Sequence, residues 1–267
     1  MDTRRVAGSA FTLRAVALGA LAATLWLTPP VDAQRGGRGG AAAPALPPKA
    51  AAPIDISGYW VSLITDDWRW RMMTPPKGDY LYLPLNPAGR QAADAWDPAK
   101  DEAAGEQCKG YGAPSIMHLP GRLHVTWEND TTLKLDVDAG TQTRVFTFGA
   151  PAAQAAPSWQ GSSVAQWEID GGGRRGRAAA APARHGSLKV VTSRLRAGYF
   201  RKNGVPYSEN AVLTEHYTTL TDEGIDYLVV TNILDDPAYL AQPYVRTVQF
   251  KRQPDGKGWN PTACSAR

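Results

Sequence analysis

The sequence predicts a mostly-β protein built as a single antiparallel β-barrel, and three observations carry that expectation. Apolar and polar residues alternate through runs of six to ten residues, the period of a half-buried strand. Gly, Pro, Asn or Asp separates the runs, and most links are short enough to join antiparallel neighbours in a meander. Nine such runs in one domain favour closure, because an open sheet of that size leaves edges unpaired.

In chain order, residues 1–33 read as a cleavable signal peptide. Arg4, Arg5 and Arg14 make a basic start, and Ala15 to Leu27 is an uncharged apolar run too short to span a bilayer comfortably. Val31-Asp32-Ala33 ends in the small-residue pattern of a cleavage site. A retained membrane anchor is the competing reading. Arg4-Arg5 hints at twin-arginine export, but Val6-Ala7-Gly8 lacks the apolar residues expected behind the pair, so the export route stays open. Residues 34–53 are Gly, Ala, Pro and Arg with almost nothing to bury, the composition of a disordered tether. The barrel domain then occupies residues 54–267.

Within that domain the alternation places strands at about 56–64, 122–128, 132–138, 142–148, 163–169, 187–196, 211–219, 225–234 and 244–252. Asn86-Pro87 and Asp97-Pro98 each set a capping side chain before a proline, which predicts two short helices at about 87–95 and 98–105, outside the barrel or across one mouth. Residues 171–186 read as a disordered insertion in a hairpin, because Gly, Ala and Arg cannot build a core. The cluster Trp68-Arg69-Trp70-Arg71-Met72-Met73 reads as a further extended run. Alternation would set Trp68, Trp70 and Met72 on one face near a barrel mouth, with Arg69 and Arg71 opposite.

The whole chain carries a formal charge of +4, which invites a nucleic-acid reading. From Ile54 onward, however, 23 basic residues face 23 acidic ones. Four of those positives, Arg174, Arg175, Arg177 and Arg184, belong to the insertion. A broad basic face is therefore not expected, and nucleic acid is not an expected partner. Cys108 and Cys264 are the two cysteines. In an oxidising compartment the pair favours a disulfide that pins the C-terminal tail, with two buried free thiols as the alternative.

Five blocks, taken together, resemble a family of exported bacterial lipocalin-like β-barrel proteins. They are Asp55-Ile-Ser-Gly-Tyr-Trp60, Gly161-Ser-Ser-Val-Ala-Gln-Trp-Glu-Ile-Asp170, Gly204-Val-Pro-Tyr-Ser-Glu209, Glu215-His-Tyr217 and Asp236-Pro237 through Pro243. The resemblance implies a lipocalin-like barrel and no established reaction. In related chains the Trp-Glu-x-Asp block runs directly into the next strand, whereas residues 171–186 interrupt it here.

Chemistry is less legible. Glu215 and His216 are adjacent on a strand and must point to opposite faces. If Leu213, Glu215 and Tyr217 face inward, Glu215 is a buried carboxylate, either an acid–base group or a structural partner of Arg144, Arg194 or Arg246; in the other register His216 is the inward group. Glu168 reads as a surface carboxylate or as the polar lip of the barrel. His124 and Glu128 share a strand face about 13 Å apart, too far to hold one metal, and no His/Cys spacing suggests a metal centre. Nucleophile-elbow, phosphate-loop and dinucleotide fingerprints are missing from the sequence, and no cofactor is expected.

The reading with most support is a barrel that binds an apolar or aromatic small molecule in its interior, as eight-stranded barrels can. Trp60, Trp68, Trp70, Trp127, Trp167, Tyr217 and Arg144 are its candidate contacts. The alternative is a lyase, isomerase or hydrolase using Glu215, His124, Tyr199 and Asp236 as acid and base. It requires those groups to converge. A third alternative, an envelope interaction protein, requires a filled barrel and an exposed apolar patch. After leader cleavage no membrane span is expected, and the oligomeric state is not legible.

Overall fold

The computed structural model describes residues 46–65, 67–150, 156–169 and 185–267. The expected leader, most of the tether and most of the insertion lie outside the described residues.

The nine strands that the alternation places all form. β1 (Gly58–Leu63), β2 (Arg122–Asn129), β3 (Thr132–Val137), β4 (Gln142–Phe148), β5 (Ser162–Ile169), β6 (Gly186–Ser193), β9 (Val212–Asp222), β10 (Ile225–Asp235) and β11 (Tyr244–Gln253) close into a barrel. Between β6 and β9 the chain makes a separate hairpin, β7 (Gly198–Arg201) and β8 (Val205–Tyr207), which the alternation did not reveal.

The barrel is not wholly antiparallel as expected: β4 and β5 run parallel, with Phe146 opposite Ser163 and Phe148 opposite Ala165. Geometry requires an exception of this kind. Strand direction must return to itself around a closed ring, so nine strands cannot alternate throughout. The exception falls where β4 and β5 are joined by residues 149–161, a connection long enough to return along the wall.

The inner face is the apolar set of each strand. Trp60, Leu123, Val125, Leu133, Leu135, Phe146, Leu188, Val190, Tyr217, Leu228, Val230 and Phe250 are all buried there. Burying each of the larger side chains contributes roughly 1.5–3 kcal/mol. A second, smaller core joins Leu213 and Leu234, at one end of the barrel, to Phe200, Val205 and Tyr207 of the hairpin and to Ala93 of α3 (Pro87–Asp94). Residues 67–120 and the hairpin thereby cover that end.

The two expected helices are present with the expected caps. Asn86 Oδ1 accepts from the Gly89 amide at 2.9 Å, and Asp97 Oδ1 from the Ala99 amide at 3.1 Å, at the start of α4 (Pro98–Ala103). The extended run expected over 68–73 is instead a short helix, α2 (Trp68–Arg71). Arg71 is buried, while Trp68, Met72 and Met73 are exposed, the reverse of the expected facing. In a closed barrel the neighbouring strands are already paired, so alternation at 68–73 has no sheet edge to join.

The far end is closed by the chain just before β1. Within the stretch expected to be tether, Pro48–Ala51 forms a turn of helix that rests on the barrel. The Pro48 carbonyl accepts from Trp167 Nε1 at 2.8 Å, and the Lys49 amide donates to the Asp130 carbonyl at 3.0 Å. The C-terminal tail returns to the covered end, where Cys108 and Cys264 form a disulfide as the sequence favours. The Thr262 amide donates to the Asp138 carbonyl at 2.9 Å in the β3–β4 turn. Gly140 in that turn has φ +72°, and an added Cβ would lie 2.3 Å from Tyr111, so glycine meets both a backbone and a packing requirement.

Candidate functional site

The barrel interior holds a polar network rather than a space. Arg144 on β4 donates to both carboxylate oxygens of Glu215 on β9, at 2.8 and 2.5 Å, and to Thr192 on β6 at 3.2 Å. Tyr217 donates to Glu215 at 3.0 Å, and Thr192 exchanges a hydrogen bond with Ser163 on β5 at 2.7 Å. Since β5 and β6 stand between β4 and β9 in the wall, the ion pair bridges the interior. Burial works against the charge on Arg144, but Glu215 beside it more than reverses this and raises the guanidinium above its ordinary range. Burial and Glu215 together push the Tyr217 hydroxyl up. Arg144, Glu215, Tyr217, Trp60 and Phe146 have essentially no surface that water could touch. A ligand has no room beside these residues. Trp60 in addition donates from Nε1 to the Ile56 carbonyl at 2.9 Å and lies under the Arg252 guanidinium.

The four proposed acid–base groups occupy separate places and do not converge. Glu215 belongs to the interior pair. His124 is on the outer face of β2, stacked on Tyr59 at 4.0 Å between ring centroids. Tyr199, on the hairpin, donates to Asp101 at 2.9 Å; burial and that carboxylate push its hydroxyl well up. Asp236 accepts from the Ser208 amide and hydroxyl, each at 2.7 Å, and so ties the end of β10 to the hairpin. His216 points outward to Glu168 at 3.1 Å, which leaves Glu168 a surface carboxylate. Among the described residues no group of three or more His, Cys, Asp or Glu side chains could hold a metal ion. None of the described helices is long and apolar enough to cross a membrane.

The candidate aromatic contacts also part company. Trp127 and Trp167 meet Phe148 at the far end, at 5.6 and 5.4 Å, beneath the Pro48–Ala51 turn. Trp68 is 64% exposed on α2 and faces away from both cores. Trp70 alone of the expected contacts lines a substantial cleft.

That cleft, about 380 Å³, lies at the covered end between α2, the segment 117–120, the β3–β4 turn, β7 and the C-terminal tail. Trp70, Tyr111, Phe200 and Tyr244 give it aromatic walls, and Met72 and Met73 form an apolar lip. Arg71, Arg201, Lys202, Arg246 and His118 line it as well, and no Asp or Glu does among the described residues. Arg71 donates to the carbonyls of Leu63 and His118 at 2.6 and 2.9 Å, locking α2 onto the end of β1. Arg246 pairs with Asp67, and Lys202 donates to the Tyr111 hydroxyl at 3.2 Å. Arg201 is buried with its guanidinium 5.4 Å from the centre of the Trp70 ring. His118 is half-buried with Nδ1 sealed from water; burial, then Arg71 and Arg201, push its imidazole down to about 3. Tyr244, beside Arg201, is pushed up by burial and partly drawn back by that cation.

Sequence reasoning missed Arg71, His118, Arg201 and Lys202. The one available signal was the Trp-Arg alternation at 68–71, which marked the right segment with the wrong geometry. No family model, curated protein or solved structure matches this chain.

Proposed function

We propose that the chain is an exported small-molecule binding protein, and that its ligand, an apolar or aromatic compound, sits in the cleft at the covered end of the barrel rather than inside it. The observation that carries this reading is the cleft itself. Its volume of about 380 Å³ is within the range of small-molecule sites, and it combines aromatic walls with a few convergent polar groups. The packed interior argues for the move outward, since a ligand among Trp60, Phe146 and Tyr217 would have to displace them. The Cys108–Cys264 disulfide is compatible with export. The scattering of Glu215, His124, Tyr199 and Asp236 leaves the acid–base alternative without a shared reacting point.

A ligand-observed NMR screen of small mono- and bicyclic aromatics against the intact chain tests the reading. Hits are expected to vanish in Tyr244→Ala and persist in Trp127→Ala, which alters the far end. Hits with the opposite dependence would move the site to that end. A screen with no hits would overturn the proposal.

A further inference from the structure

The charge of the cleft is one-sided, and from this we infer that its ligand is an organic anion, an aromatic or apolar body carrying a carboxylate-type head group that seats on Arg201. The inference rests on the reading of the cleft as a binding site and names the class of compound it takes.

Arg201 is the cation left over. It is 8% exposed, yet its hydrogen-bond partners are neutral: the Asp79 carbonyl, through a long contact of 3.4 Å from Nη1, and the Tyr244 hydroxyl. Among the described residues no carboxylate lies within ion-pair distance of it. The Asp79 carboxylate is taken by Arg69 at 3.0 Å and by Trp70 Nε1 at 3.2 Å. Arg246 has Asp67, and Lys202 donates both to the main-chain oxygen of Arg267 at 2.5 Å and to the Tyr111 hydroxyl at 3.2 Å. His118 on the same wall is held neutral first by burial and then by Arg71 and Arg201, so it adds no charge of either sign to the cleft.

A cation held out of water without a counter-charge is unfavourable to the fold, and an arriving anion relieves that penalty in a setting of low dielectric, where the attraction is strong. The guanidinium remains protonated, and its planar fork matches a carboxylate with two parallel hydrogen bonds. The same field disfavours a cationic ligand and offers little to a neutral one. Trp70, Phe200 and Tyr244 stand beside Arg201 to take the ligand's apolar body. The interior provides the contrast: Arg144 is buried more deeply still, but Glu215 already occupies its fork.

Isothermal titration of the intact chain with three ligands of one shape, naphthoate, naphthamide and naphthylmethylammonium, tests the inference. Naphthoate is expected to bind about tenfold or more tighter than naphthamide, and the ammonium compound not measurably. Arg201→Gln is expected to bring naphthoate down to the naphthamide level with naphthamide affinity and the melting curve unchanged. If that variant fails to fold, Arg201→Lys, which keeps the charge and loses the fork, is expected to weaken naphthoate several-fold and leave naphthamide alone. Equal affinity for acid and amide, or a preference that survives both substitutions, overturns the anion inference while the cleft stands. Failure of all three compounds together with an empty aromatic screen removes the cleft as a site.

Discussion

The barrel interior and the cleft at its covered end are both built around buried arginine, and they differ in what faces the guanidinium. In the interior Arg144 meets Glu215 through two hydrogen bonds and Thr192 through a third, while Tyr217 donates to Glu215 and the buried Arg144 Nε is left without a partner. In the cleft Arg201 meets a tryptophan ring, the Tyr244 hydroxyl and a distant carbonyl, all of them neutral. A buried charge answered by its own fold is an element of structure. One that the fold leaves unanswered is available to a partner from solution. The contrast separates the two regions more sharply than their aromatic content, which is high in both.

The largest expected effect comes from breaking the answered charge. Arg144→Met or Glu215→Leu alone should lower stability by about 3–5 kcal/mol, because each strands the other charge in the interior. The double variant should recover most of that loss, since two apolar side chains can fill the bridged space. Urea denaturation midpoints of the three variants against the parent check both statements. Single variants with near-parental midpoints would mean that the interior pair is as uncommitted as Arg201.

The disulfide sharpens the comparison from the other side, because the tail it ties down forms a wall of the cleft, with Cys264 resting on the edge of the barrel core. Cys108 and Cys264 are 156 residues apart, and the tail they pin supplies Thr262 and Arg267 to the cleft lining. Replacing both by Ser should cost about 2–4 kcal/mol, chiefly through the freed unfolded chain. It should also weaken ligand binding while leaving the near-ultraviolet circular dichroism of the packed barrel intact. Unchanged ligand affinity after complete reduction would show that the tail is not part of the site.

The barrel was legible because each strand carries one apolar face, and a period of two survives without knowledge of neighbours: residues 132–138, for example, set Leu133, Leu135 and Val137 inward. The parallel β4–β5 pair was not legible, because closure parity belongs to the whole ring. Strand facing alone showed that either Glu215 or His216 turns inward, with Arg144 one of three possible partners of Glu215; the choice of Glu215 belongs to the assembled barrel. The cleft could not be read. What distinguishes Arg201 is the lack of a carboxylate nearby, a property of tertiary placement that leaves no mark on the residues around it in sequence. The short strands β7 and β8, the second containing Pro206, are too brief to announce themselves by alternation.

A titration at His118 gives a smaller and more local effect. Its imidazole is held at about 3 in the folded protein against 6.5 for an ordinary histidine. Above pH 6.5 neither the folded nor the unfolded chain binds the proton, so the residue has no effect on stability there. Below it the unfolded chain takes up a proton that the folded cleft refuses, and stability falls with pH by up to about 1.4 kcal/mol per unit until the folded group titrates. His118→Gln should flatten this part of the acid limb when urea midpoints are followed from pH 7 to pH 4. An unaltered slope would mean that His118 takes up its proton in the folded protein as it does in the unfolded chain, against the burial that is the first cause of its lowered value.

The smallest expected change is the one that tests the comparison most directly, because it repeats the first substitution at the second arginine. Arg201→Met removes a buried guanidinium that has no carboxylate within ion-pair distance among the described residues. No counter-charge is stranded, a weak contact of 3.4 Å and the hydrogen bond to Tyr244 are lost, and an apolar chain of similar length takes the place of the arginine stem against Trp70. Relief from holding a charge out of water offsets the lost contacts. Stability should therefore stay within about 1 kcal/mol of the parent, in either direction. The same Arg→Met change would then cost several kcal/mol in the interior and almost nothing at the end of the barrel, although both side chains are buried. If Arg201→Met proved as damaging as Arg144→Met, the fold itself would be answering the charge on Arg201, and the distinction between a structural and an available arginine would collapse.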